Sequence, residues 1–182
     1  MASKIIPFSE LSAAQREQAA EILVSAFAHE PSAWKTMHEA RSEVASFYED
    51  AERRAWAAID GDMLAGWIGG VEQSSHAWEL HPLAVAPAFQ KRGIGRQLVA
   101  RLEAEAKQAG MNTIWLGSDD GFGGTSIFGA DLYPDVLEKL KALAPVDGHP
   151  FTYYMQLGYV VIGVIPDANG PGRHDIMMAK RI

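Results

Sequence analysis

The chain has 182 residues, 48% of them hydrophobic and 21% charged, which fits one ordinary globular domain over residues 1–182 and argues against extensive disorder. With 23 acidic against 16 basic side chains the formal net charge is -7. That balance disfavours a nucleic-acid or anionic-membrane surface, both of which want a basic patch, and it suits a cationic small-molecule partner. The absence of cysteine removes disulfides, thiolate metal sites and cysteine nucleophiles together. The opening MASKIIPFSE carries no apolar export segment, and the longest apolar stretch, Tyr159–Ile165, is too short to span a bilayer, so a cytoplasmic protein is expected.

In chain order, Lys4–Phe8 reads as a strand, and Ser9 or Ser12 can cap the helix after it. Leu11, Ala19, Ile22, Leu23 and Phe27 give that helix a core-facing stripe. Pro31-Ser32-Ala33-Trp34 opens a second predicted helix reaching Tyr48. Arg54–Ile59 and Met63–Val71 flank Asp60-Gly61-Asp62 and read as a hairpin. Ala77–Val85 is a further strand. Ile94–Ala109 is an amphipathic helix with Leu98, Leu102 and Ala106 on one face and Gly110 as its stop. Asn112–Leu116 is strand-like, and Gly117–Gly148 is an irregular insert with one helical stretch, Pro134–Leu143. An insert of that length inside a compact domain points to function. A short helix, Pro150–Leu157, and the strands Tyr159–Ile165 and Asp175–Lys180 close a mixed α/β domain.

The most specific local signal is Gln90-Lys91-Arg92-Gly93-Ile94-Gly95 between a strand and a long helix. A helix N-terminus offers unpaired N–H groups and the positive end of a dipole, which suit phosphate. Gly93 and Gly95 permit close approach of the backbone to a pyrophosphate, and Lys91, Arg92 and Arg96 add positive charge. The turn is not a P-loop, since no Lys-Ser/Thr pair follows, and Leu98 stands where a dinucleotide fingerprint has its third glycine.

Strand, Gln-x-x-Gly-x-Gly and amphipathic helix together resemble the acetyl-CoA-binding segment of the GCN5-related N-acetyltransferases. Tyr153-Tyr154-Met155-Gln156-Leu157-Gly158-Tyr159 is similar to the same superfamily's F-Y-x-x-L-G-F segment. Trp78-Glu79-Leu80-His81-Pro82-Leu83, Leu116-Gly117-Ser118-Asp119-Asp120, Gly148-His149-Pro150, Pro166-Asp167-Ala168-Asn169-Gly170 and Asp175–Lys180 resemble the aminoglycoside 6′-N-acetyltransferases, from about Gly66 to the C-terminus. The resemblance implies a mixed α/β fold with a central, mostly antiparallel sheet, splayed strands and flanking helices. It also implies acetyl-CoA as cosubstrate, a polycationic acceptor and a homodimer. The cofactor would be held by Leu83 and Val85 of the strand, by Gln90, Lys91, Arg92, Gly93, Ile94, Gly95 and Arg96 of the turn, and by Tyr154.

Acetyl transfer from a thioester to an amine requires loss of an ammonium proton, stabilisation of an oxyanion and protonation of a thiolate. In a regular strand Glu79 shares a face with His81, Leu83 and Val85. The resemblance implies that Glu79 is the base; the alternative is a solvent-facing strand glutamate paired with a cation. His81 either supports Glu79 or a water, or is structural. The resemblance further implies a bulge that frees the Leu83 N–H for the thioester oxygen. Tyr154 is the candidate acid for the departing thiolate, although aromatic residues on a short helix also pack cores. Asp119 and Asp120, with Glu79 and Asp147, are candidate partners for acceptor ammonium groups; Asp131 and Asp135 are further carboxylates of the insert. Trp34 offers either a surface to a sugar ring or a core residue. The six histidines do not cluster with carboxylates at ligand spacing, so no metal is expected. Without cysteine, transfer is direct in a ternary complex. Acetylation of another cationic amine, and a non-catalytic acyl-CoA sensor, are the alternative readings.

Overall fold

The computed structural model describes residues 3–31, 33–146 and 148–182. It divides into two compact units, one comprising the chain through His29, Ala33–Ile114 and Ile182, the other comprising Glu30, Pro31 and Trp115–Arg181.

In the first unit β1 (Lys4–Pro7) leads through a 3-10 turn, Phe8–Glu10, to α1 (Ala13–Ala26). Ser12 caps α1: its hydroxyl accepts from the Gln15 N–H, and the Gln15 side chain accepts from the Ser12 N–H. The second helix, α2, runs over Met37–Glu49 and starts later than its Pro31 signal predicts. Thr36 and Glu39 form a second capping box there, so two backbone donors are satisfied at Thr36 and not at Pro31.

The strands β2 (Arg53–Asp60), β3 (Met63–Ser74) and β4 (Ala77–Val85) follow, then a 3-10 turn, Pro87–Phe89, and α3 (Ile94–Gln108). They form the antiparallel order β1-β2-β3-β4. The β2–β3 hairpin turns at Gly61, whose φ of 62° is a left-handed conformation that glycine adopts at little cost. Helices α1 and α2 cover one face of this sheet. Trp67 is fully buried there, its indole N–H donating to the Ala19 carbonyl at 3.1 Å and its ring packed by Phe8 and Phe47 at 4.9 and 5.4 Å between centroids. Helix α3 covers the other face, burying Leu98, Leu102 and Ala106 as their spacing predicts. Gly110, at φ 83°, ends it.

One irregularity in β4 decides which side chains face which helices. Ile68 pairs with Leu83 and Gly70 with Leu80, so His81 and Pro82 together oppose the single residue Gly69. The extra residue inverts the alternation. Glu79 pairs with Val71 on the α1/α2 face, and Ala84 pairs with Trp67 on that same face. Leu83 and Val85 therefore lie on the α3 face, and the expectation that they share a face with Glu79 and His81 is corrected: it assumed a regular pleat.

In the second unit β5 (Thr113–Asp119), which spans the boundary between the units, is longer than predicted and carries Asp119 as its last residue. After it come α4 (Val136–Leu140), α5 (Phe151–Gln156), β6 (Val160–Ile165) and β7 (Asp175–Arg181). The order is β5-β7-β6, with β6 and β7 antiparallel. The insert is irregular but tied down. Thr125 bridges to Pro145, and the Gly129 N–H donates to the Gly172 carbonyl at 2.8 Å.

Gly69 is the tightest point of the bulge. A Cβ there would overlap the His81 carbonyl and meet Phe47 Cζ at 2.5 Å. We expect Gly69→Ala to lower unfolding stability by about 1–3 kcal/mol, as overpacking does, in urea titration. An unchanged midpoint would show that β4 is free to shift.

Candidate functional site

Glu79 and His81 project from β4 to the same side as α2, each half-buried. Glu79 Oε2 accepts from the Gln73 side-chain amide at 2.8 Å, so the hairpin that presents the carboxylate also orients it. The His81 Nε2 stands 3.6 Å from Glu43 of α2, and its ring lies 5.6 Å from that of Trp34. Trp34 is partly buried, packed against the first unit's core and edge-on to Phe27 at 5.3 Å. Both Gln73 and Glu43 escaped the sequence reading. No local pattern marks either, since each acquires its meaning from strand pairing or helix packing.

At the other end of β4 the Gln90 amide donates back to the Val85 carbonyl at 3.1 Å, closing the turn into α3. Lys91 at φ 61° and Gly93 at φ 82° give the turn its left-handed corners. Gly93 is the N-cap of α3 and supplies no side-chain cap, so the first-turn N–H groups are left for solvent or a ligand. Lys91, Arg92 and Arg96 are exposed, and the Arg92 guanidinium lies 5.2 Å from the centre of the Phe89 ring. Ile94 is buried and fixes the helix start. An uncapped dipole end ringed by three cations fits a pyrophosphate.

In the second unit Tyr154 sits on α5 with its ring edge-on to Tyr153 and Tyr159 at 5.4 and 5.8 Å. Desolvation, with a smaller contribution from Tyr153, pushes the Tyr154 phenol well above the ordinary tyrosine range, so it keeps its proton at any physiological pH. Asp119 is half-buried and accepts from the Asn169 side-chain amide at 2.5 Å.

The adjacent Asp120 is fully buried. Its Oδ1 accepts from the Gly123 and Gly124 N–H groups at 3.0 and 2.8 Å, and its Oδ2 from the Thr125 hydroxyl at 2.5 Å. The structure thus uses Asp120 to fold the glycine-rich loop, where the sequence suggested an acceptor carboxylate. Adjacent residues on an extended chain point to opposite sides, and only one of the pair reaches the surface. Asp147 lies outside the described residues. Asp131 and Asp135 are exposed; the former accepts from the Tyr133 N–H. Among the described residues no group of three or more side chains is arranged to hold a metal ion. No helix among them is long and apolar enough to cross a membrane.

His149 connects these pieces. The Phe151 N–H donates to its Nδ1 at 3.2 Å, which puts the ring proton on Nε2, and Nε2–H donates to the Asp119 carbonyl at 3.0 Å. The exposed Phe122 ring stacks on it at 5.8 Å. Burial lowers the His149 pKa below the ordinary histidine value, against the weaker opposing pull of Asp120 and Asp119. A histidine whose folded pKa is depressed binds its proton more readily in the unfolded chain. Its contribution is therefore complete above about pH 6.5 and is lost as pH falls through the folded value. We expect unfolding stability to fall between pH 7.5 and 5.5, and His149→Gln to have a flatter pH dependence over that interval in urea titrations. An equal slope in the variant would acquit His149.

The profile of the Acetyltransferase (GNAT) family matches residues 17–122. Two crystal structures superpose across the chain: an aminoglycoside 6′-N-acetyltransferase complexed with coenzyme A, at TM-score 0.87, and the aminoglycoside 6′-N-acetyltransferase from Enterococcus faecium, at TM-score 0.86. Each is 35% identical, with 98% of this chain and 96% of the other covered. The Bacillus subtilis protein described as uncharacterized N-acetyltransferase YvbK is 34% identical over 89 residues, 49% of this chain; the match spans about half of that relative, 53% of its length. The mixed α/β architecture agrees with this match, and the chain belongs to the GNAT acetyltransferase family.

Proposed function

We propose that the protein transfers the acetyl group of acetyl-CoA directly to the 6′-amino group of an aminoglycoside. The observation that carries this reading is the 35% identity, over nearly the whole chain, to two proteins described as aminoglycoside 6′-N-acetyltransferases. The net charge of -7 favours a polycationic acceptor over an anionic one. In this reading the protein is a cytoplasmic single-domain enzyme that works as a homodimer.

Acetyl-CoA, when bound, supplies an activated thioester. Gly93, Gly95 and the adjacent N–H groups of α3 cradle its pyrophosphate, with Lys91, Arg92 and Arg96 balancing the charge. Glu79, steadied by Gln73, removes one proton from the acceptor ammonium, directly or through water, and so exposes the nitrogen lone pair. The Leu83 N–H, displaced by the bulge, donates a hydrogen bond to the thioester oxygen as charge grows on it. Tyr154 gives its proton to the departing sulfur. Its raised pKa makes it a weak acid but guarantees the protonated form. Asp119 holds an ammonium group of the acceptor, while Asp120 keeps the loop beside it in shape.

The test is release of CoA thiol from acetyl-CoA with kanamycin, beside a kanamycin-type analogue bearing a 6′-hydroxyl. We expect turnover with the amine alone. Turnover with both would place the acetyl group at another amine, and turnover with neither would turn attention to polyamines, peptides and a non-catalytic acyl-CoA sensor. Glu79→Gln should lower kcat roughly 10²-fold, with coenzyme A affinity within about twofold. Gly95→Trp should abolish coenzyme A binding by blocking the turn. A normal isotherm in that variant would refute the placement of the pyrophosphate.

A further inference from the structure

Glu43 lies on α2, on the helix face turned to the sheet, and its side chain is only 18% exposed. Glutamates are mostly exposed, so a carboxylate this far covered calls for partners. Its Oε1 accepts from Arg53 Nη1 at 2.9 Å, and the same oxygen stands 3.6 Å from His81 Nε2. Arg53 is itself held in place: it donates to the Ser46 hydroxyl at 3.1 Å, pairs with Asp50 at 3.8 Å and lies 5.3 Å from the centre of the Phe47 ring. The carboxylate is therefore held by an anchored cation on the same oxygen that faces the imidazole. Trp34 flanks the His81 ring, and 41% of the His81 side chain stays open to solvent.

We propose that Glu43 is a positioning residue for His81, fixing its ring orientation and its tautomer for acetyl transfer. At 3.6 Å the pair is an electrostatic contact, longer than a hydrogen bond, and a carboxylate that near favours the imidazole proton on Nε2 and leaves Nδ1 as a lone-pair acceptor. His81 follows Glu79 by two residues in the bulged strand, so a ring locked in this form offers a hydrogen-bond acceptor beside the base. The acceptor's proton still passes to Glu79, and the imidazole gains none in the net reaction. This is the logic of an orienting carboxylate behind a histidine, and it rests on the reading of Glu79 as the base. The competing role is purely structural: Glu43 would serve only to neutralise Arg53.

The experiment has two arms. In the substrate-free protein, long-range proton–nitrogen NMR of the imidazoles, with His81 assigned by its loss in His81→Gln, reads the tautomer directly. We expect the Nε2–H form in the parent protein and in Glu43→Asp, and a mixture of both forms in Glu43→Gln. Because no acceptor is present, this arm stands even if no aminoglycoside is acetylated. In the kinetic arm, Glu43→Gln should lower kcat about tenfold with KM for acetyl-CoA within about twofold, and Glu43→Asp should restore part of the loss. Adding Glu43→Gln to His81→Gln should cost little more than His81→Gln alone. An unchanged His81 tautomer in folded Glu43→Gln overturns the proposal. So does an Arg53→Gln variant that matches the kcat loss of Glu43→Gln while His81 keeps the Nε2–H form, because Glu43 would then act only through Arg53.

Discussion

The bulge at His81–Pro82 opposite Gly69 is the constraint on which the side-chain placement of the first unit's β4 depends. A regular strand would place Glu79, His81, Leu83 and Val85 in one row. With two residues set against one, the strand turns over between His81 and Leu83. The half of β4 bearing Glu79 then works on the face covered by α1 and α2, and the half bearing Leu83 and Val85 works on the face covered by α3. The same residue also breaks the ladder locally, the usual means of releasing a backbone N–H from strand pairing. Gly69 makes room for it, since any side chain there would strike the His81 carbonyl or Phe47.

Around that fixed point, the first unit supports each half of β4 with a different kind of interaction. The acidic half is held by polar contacts from neighbouring elements: Gln73 on β3 to Glu79, and Glu43 on α2 toward His81. The other half is held by hydrophobic burial and by the Gln90 amide returning to the Val85 carbonyl, which sets where α3 begins. With glycine at the N-cap in place of serine or aspartate, α3 loses only roughly a few tenths of a kcal/mol while its first-turn N–H groups stay without a side-chain partner.

The second unit adds buried polar groups to its apolar core to stabilise its irregular segment. Asp120 and His149 are both fully buried, and each spends its acceptors on backbone N–H groups or a hydroxyl of its own loop. His174 does the same, accepting from the Asp167 N–H and donating to the Ile127 carbonyl. An unpaired buried polar group would cost about 1–3 kcal/mol, so these interactions restrict the insert to conformations that satisfy them all. A loop built this way can hold Asp119 in place at the end of β5 without regular secondary structure.

Much of this protein was legible in its sequence because the signals are local. Helix periodicity in Ile94–Gln108, the Asp-Gly hairpin and the glycine turn at Gln90–Gly95 depend on neighbours within a few residues, and residue spacing reports them faithfully. The start of α2 was equally local, in the Thr36–Glu39 capping box, but the proline signal upstream of it competed. The division of labour between Asp119 and Asp120 was not legible, because identical side chains side by side are told apart only by which one the fold buries. Nor were Glu43 and Gln73, whose partners lie on other elements. The sequence by itself determined most of the elements, the glycine turn that opens α3 and the place of Glu79 on β4. Tertiary structure decided which way each half of β4 faces, through one extra residue in a ladder, and which polar groups stand behind Glu79 and His81, because strand register and helix packing are set by contacts far apart in the chain.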